Sequence, residues 1–224
     1  MSEELLDFIQ RDTGPEPRLA VIWLHGLGAD GHDFEPIVPE LRLPRATPVR
    51  FIFPHAPMQP VTINSGMVMR AWYDITAMDL GSAVDAEGIE RSASHLSRLL
   101  AATVDSGFAP ERIVLAGFSQ GGVIALHTGL RHPERLAGII ALSTYVALPE
   151  QLQESASDAN RNLPVFMAHG RHDPVIPFSL AERSRDFLLA QGYPVQWREY
   201  PMEHAVHPEE IRDIADWLNS TVIS

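Results

Sequence analysis

Short, uninterrupted apolar runs alternate along this chain with longer stretches in which apolar residues recur every three or four positions. The runs at Leu19–Leu24, 49–53, Ile113–Phe118, Gly138–Leu142 and 165–168 are too short for helices and too continuous for strands with one wet face. They predict strands covered on both sides, the pattern of a mostly parallel central sheet with helices on both faces. Val195–Tyr200 alternates instead, setting Val195, Trp197 and Glu199 against Gln196, Arg198 and Tyr200, and predicts a more exposed strand late in the sheet. Across 87–104 the spacing of Ile89, Ala93, Leu96, Leu100 and Val104 predicts a helix with one buried stripe. A final helix is predicted where Pro208 presets the first turn, Glu209 and Glu210 complement the helix N-terminus, and Ile211, Ile214, Ala215 and Leu218 share one face. Between them, 55–88 has no clean period in its first half and carries Pro57, Pro60, Gly66, Gly81 and Gly88. It reads as a long excursion from the sheet, and such excursions inside a domain tend to carry function.

Composition narrows the function more than the fold. A length of 224 residues suits one α/β domain spanning 1–224, and 45% hydrophobic with 21% charged residues is the profile of a folded enzyme-sized domain. A formal charge of -12 repels nucleic acids and anionic bilayers, so neither is an expected partner. The absence of cysteine removes disulfides, thiolate nucleophiles and thiolate metal sites together. The first residues, MSEELLDFIQRD, lack a basic start and an apolar core, and no run approaches the ~20 apolar residues of a membrane span. A cytoplasmic protein without stable membrane insertion is expected.

The sharpest chemical signal is at 117–122. The run Ile113–Phe118 leads directly into G-x-S-x-G centred on Ser119, and Val123, Ile124, Ala125 and Leu126 then begin a helical pattern. Strand, sharp turn and helix together make a nucleophile elbow, whose glycines are needed because a side chain there would meet neighbouring backbone. A serine hydroxyl needs an imidazole to take its proton and a carboxylate to hold that imidazole. In chain order after Ser119, Asp173 follows the strand end at 165–170, and His204 lies in the loop between Tyr200 and the last helix. His204 is chosen from ten histidines: His95 and His127 lie within helical segments, His132 ends the elbow helix, and His207 looks like a helix-entry residue before Pro208. His169, His172 and Asp173 lack a matching cluster with metal-ligand spacing, so no metal and no cofactor is expected. The oxyanion of a tetrahedral intermediate needs N–H donors. One is the amide of Gln120, and the second belongs to the glycine-rich turn after the strand, 24–28.

Four of the seven methionines, Met58, Met67, Met69 and Met78, fall in the excursion. Unbranched thioethers suit a deformable apolar surface. Met67, Met69 and Met78, with Leu27, Tyr145 and Val175, are therefore candidates for an acyl groove, the alternative being that the methionines only fill core.

With these residues in view, the chain resembles the bacterial carboxylesterase and acyl-protein thioesterase family, also labelled phospholipase/carboxylesterase. The resemblance rests on WLHGLGADGHDF at 23–34, FPHAP at 53–57, RAWYDI at 70–75, GFSQGG at 117–122, Leu142-Ser143 followed by Tyr145, HGRHDPVIP at 169–177 and YPMEH at 200–204. It implies an α/β-hydrolase fold without a large lid domain, a Ser119–Asp173–His204 triad, oxyanion donors at Leu27 and Gln120, small to medium acyl ester or thioester substrates, and a homodimer. Glu203 departs from the family pattern, which has glycine before the histidine. A peptidase or lactone hydrolase of the same fold, or an idle scaffold serving as a binding module, are the competing readings; the intact triad argues against the last.

Overall fold

The computed structural model describes residues 5–76 and 84–223. Among the described residues, seven strands form one sheet in the order β1-β3-β2-β6-β7-β8-β9. These are β1 (Phe8–Asp12), β2 (Leu19–Leu24), β3 (Val49–Pro54), β6 (Ile113–Phe118), β7 (Gly138–Leu142), β8 (Val165–Gly170) and β9 (Val195–Tyr200). All neighbours pair in parallel except β1, which runs antiparallel to β3 with Phe8 opposite Pro54 and Asp12 opposite Arg50. The predicted continuous runs are the inner strands, and the alternating run is the edge strand β9.

Period-two alternation sends each inner strand into both cores. In β2, Ala20, Ile22 and Leu24 face one core while Leu19, Val21 and Trp23 face the other. The first core is closed by α2 (Ala86–Asp105), α3 (Gln120–Gly129) and α5 (Phe178–Ala190), which contribute Ile89, Leu96, Val123 and Leu188. The second is closed by α1 (Ile37–Glu40) and α6 (Pro208–Trp217), which contribute Ile37, Ile214 and Trp217. Helices therefore cover both faces, as the sequence pattern predicts. Each buried aliphatic side chain contributes roughly 1.5–3 kcal/mol of transfer free energy, so an inner strand with six buried residues is held far more firmly than its hydrogen bonds alone would hold it.

Caps fix where the helices begin. Asp85 accepts from the Gly88 amide at 2.8 Å to start α2. His207 starts α6 with a capping box: its ring accepts from the Glu209 amide at 3.2 Å, and Glu210 accepts from the His207 amide at 3.1 Å. The excursion contains an antiparallel hairpin, β4 (Met58–Val61) with β5 (Met67–Arg70), and a short α4 (Pro149–Ser155) follows β7 later in the chain. The turns that bear the candidate site residues follow β2, β6, β8 and β9, all at the carboxyl edge of the sheet, where open α/β sheets form their sites.

Candidate functional site

Ser119 stands between the last residue of β6 and the first of α3, with φ 55° and ψ −120°. This is backbone that side-chain-bearing residues avoid, at a cost of roughly 1–3 kcal/mol. The surroundings hold it there. Its amide donates to the Leu142 carbonyl at 2.9 Å, and its carbonyl accepts from the Thr144 hydroxyl at 2.7 Å and the Gly122 amide at 3.0 Å. A Cβ at Gly121 would come within 2.4 Å of the Leu24 carbonyl oxygen and 2.6 Å of that of His25, so only glycine lets α3 start this close to β2.

Asp173 and His204 meet over this elbow's flank. His204 Nδ1 lies 2.7 Å from Asp173 Oδ2, while Asp173 Oδ1 accepts from the amides of Val175 at 2.8 Å and Ile176 at 2.9 Å. Burial raises the Asp173 pKa, but the His204 and amide hydrogen bonds outweigh it and hold the carboxyl below its usual range. An ionised Asp173 can only accept, so Nδ1 carries the proton and Nε2 is left as the acceptor. Behind the pair, His169 donates through Nε2 to the Ile176 carbonyl at 2.9 Å and lies 3.4 Å from Asp173 Oδ2. Burial lowers its pKa, which favours a neutral ring behind Asp173. Glu203 is exposed and lies outside the positive-φ residues, so the backbone beside His204 does not require the glycine of the family pattern.

The turn after β2 is pinned from four directions. His25 Nε2 accepts from the Ala56 amide at 3.0 Å, which leaves Nδ1 to donate to the Gly26 carbonyl at 2.7 Å. Burial pushes the pKa of His25 down to about 4, so it serves as a neutral brace. The Trp72 indole donates to the His25 carbonyl at 2.9 Å, and the Gly28 amide, at φ 77°, donates to Arg70 at 2.8 Å. A Cβ at Gly26 would sit 3.5 Å from that of Ser119, which puts Leu27 one residue from the elbow. Gln120, on the other side, locks its side chain between the Trp72 amide (3.1 Å) and the Tyr73 carbonyl (2.8 Å). Its own amide is the first of α3, a position with no intrahelical partner.

The remaining sequence candidates are spread more widely. Met69, on β5, has its sulfur 3.7 Å from where a Cβ of Gly28 would lie and accepts from Asn64 at 3.3 Å. Met67 is exposed at the hairpin, Val175 is exposed beside Asp173, and Tyr145 is buried with its hydroxyl 3.5 Å from that of Tyr73. Met78 lies outside the described residues. Among the described residues, no group of three or more His, Asp or Glu side chains is arranged to hold a metal ion. The bracing roles of His25, Arg70, Trp72 and His169 were not read from the sequence, in which His169 was weighed only as a metal ligand, although each sits inside a motif whose neighbours were singled out.

The chain is similar to known proteins along most of its length. The model of the phospholipase/carboxylesterase family matches residues 7–222. Acyl-protein thioesterase 1 of Gibberella zeae is 40% identical over 88% of this chain and 88% of its own length. Its namesake from Neurospora crassa is 43% identical over 88% and 84%. The crystal structure of Arabidopsis thaliana SOBER1 superposes with a TM-score of 0.85 at 28% identity, covering 90% of this chain and 98% of that one. The chain belongs to the phospholipase/carboxylesterase family of α/β hydrolases and is a hydrolase of carboxylic ester or thioester bonds.

Proposed function

We propose that the protein cleaves acyl esters and thioesters through an acyl-enzyme on Ser119, with His204 as general base and Asp173 as its orienter. The observation that carries this reading is the 2.7 Å Asp173–His204 hydrogen bond beside an elbow that holds Ser119 at φ 55°. The Ser119 hydroxyl adds to the acyl carbon as its proton passes to His204 Nε2. The resulting oxyanion accepts from the amides of Leu27 and Gln120, each donor of this kind being worth about 10²- to 10³-fold in rate. Collapse expels the alcohol or thiol, which takes the proton from His204. Water, deprotonated by the same imidazole, then attacks the acyl-enzyme and regenerates the Ser119 hydroxyl. None of these steps draws on a cofactor.

The names of the fungal relatives support a thioester substrate alongside oxygen esters. The exposed hairpin bearing Met67 and Met69 beside the Leu27 turn supports an acyl groove that also takes in Tyr145 and Val175. Family resemblance supports a cytoplasmic homodimer whose single domain spans the chain, testable by sedimentation; among the described residues no helix is long and apolar enough to cross a membrane. The test of the core reading is fluorophosphonate labelling followed by mass spectrometry. One adduct on Ser119, lost in Ser119→Ala, is expected, together with hydrolysis of paired S- and O-acyl substrates. An unlabelled, inert wild type would instead favour an idle scaffold.

A further inference from the structure

His204 and Phe118 also line a cleft of about 450 Å³ that opens between α1 and α6 and does not have Ser119 in its walls. Phe34 and Ile37 form a buried apolar floor, Val206 and Ile211 half-buried sides, and the exposed Asp33 and Glu40 stand at the rim. Glu35, between them in sequence, is paired with Arg11 and lies 3.0 Å from His32 Nδ1. Among the described residues, neither Asp33 nor Glu40 takes part in an ion pair.

The chemistry says what belongs there. The departing atom receives its proton from His204, so it lies within hydrogen-bond reach of the imidazole, and whatever it carries continues into space that His204 borders. Met69 and the Leu27 turn lie away from this cleft, outside its lining residues. Resting on the reading of His204 as the base, we propose that the α1–α6 cleft receives the leaving group and that Asp33 and Glu40 select alcohols or thiols that carry a positive charge on an apolar stem. A carboxylate without an ion-pair partner at the rim of an apolar cleft attracts a cation, and the floor accepts the methylene or methyl groups around it.

The experiment compares two thioesters with the same acyl chain: butyrylthiocholine, and S-(3,3-dimethylbutyl) thiobutyrate, in which carbon replaces the quaternary nitrogen. At low ionic strength the wild type should favour the cation in kcat/KM by about 3- to 10-fold, the scale of two partly solvated charge contacts. The preference should shrink towards unity in Asp33→Asn/Glu40→Gln and at high salt, with the neutral thioester changed less than about 2-fold. Glu111→Gln, at the opposite edge of the sheet, separates a local effect from the mean negative field and should leave the preference intact. A ratio that stays the same in the rim variant, or that falls equally in Glu111→Gln, overturns the proposal. The underlying catalytic reading fails differently: turnover of both thioesters would then survive Ser119→Ala.

Discussion

The ring of Phe118 lies 4.7 Å, centroid to centroid, from the imidazole of His204, tilted by 47°. The residue before the candidate nucleophile is thus a wall for the candidate base, and Phe34 backs that wall at 5.6 Å. Without it, His204 is oriented mainly by its one hydrogen bond to Asp173. Phe118→Ala should lower kcat on a methyl ester by about 10-fold, or about 1.4 kcal/mol of barrier, with KM changed less. Phe118→Tyr keeps the ring and should recover most of the loss. Steady-state kinetics on the three proteins decides it, and equal kcat values for Ala and wild type would show that the contact does not position the base.

Ser119 gives two readouts that a merely structural serine would not. Ser119→Ala and His204→Ala should each cost on the order of 10⁶-fold in kcat, and Asp173→Asn on the order of 10⁴-fold, because in the proposed triad the first two act as a unit and the third orients it. Stability should move independently of activity. Alanine keeps a Cβ at φ 55°, whereas glycine adopts that region freely. Ser119→Gly should therefore exceed Ser119→Ala in unfolding free energy by about 1 kcal/mol, after the extra chain entropy of glycine is offset. Urea titration of the two inactive variants measures this, and a more stable Ala variant would mean that the elbow is not strained.

The inner strands and α6 were legible because continuous apolar runs and a capped amphipathic stripe are local signals. β1 was not: Phe8–Asp12 is almost wholly exposed and earns its place only by pairing with β3, a long-range contact with no local period. The β4–β5 hairpin was hidden similarly, since Met58 and Met67 are exposed apolar residues where alternation would lead one to expect burial. In the candidate site, the choice of Ser119, Asp173 and His204 follows from the chemistry that a serine nucleophile would demand, and the structure brings Asp173 and His204 together. His25 and His169 do not, because a neutral histidine bracing a backbone carbonyl has the same one-dimensional appearance as any other. Motif position marks such residues, but only the Ala56 amide that donates to His25 and the Ile176 carbonyl that accepts from His169 define their tasks.

His25 links the turn after β2, which bears the proposed oxyanion donor Leu27, to pH. In the unfolded chain it titrates at its ordinary 6.5 and in the folded protein at about 4, because burial disfavours the cation. Between those values the unfolded chain holds a proton that the folded protein excludes, so stability falls as pH drops through this window, by about 3 kcal/mol at most for this group. His55, His127, His132 and His169, all lowered first by burial, push in the same direction. His25→Gln should flatten the acid slope of unfolding free energy between pH 6.5 and 4.5. It should also cut kcat by about 10²-fold as the Leu27 amide loses its brace. Full activity in this variant would separate His25 from the turn it holds.

Glu210 carries the opposite dependence. It is fully buried in the first turn of α6, six residues after His204, and its pKa is pushed up to about 8. Burial is the main cause; the cap bond from the His207 amide opposes it, and the nearby Asp213 reinforces it. The folded protein therefore keeps a proton that the unfolded chain releases above its ordinary 4.5. The stabilisation is complete below that pH and is lost as pH rises through about 8, to a total of roughly 2–5 kcal/mol for a carboxyl so buried. Glu210→Gln has the shape of the protonated acid, retains an acceptor for the capping box and has no proton to keep. Relative to wild type, the variant should gain stability steadily between pH 5 and pH 8.5, whatever their difference at pH 5. Because α6 anchors the His204 loop, its kcat/KM should also hold up further into the alkaline range. Urea unfolding at four pH values across that window gives the answer: parallel curves for the two proteins would show that Glu210 ionises in the folded state as readily as in the unfolded one.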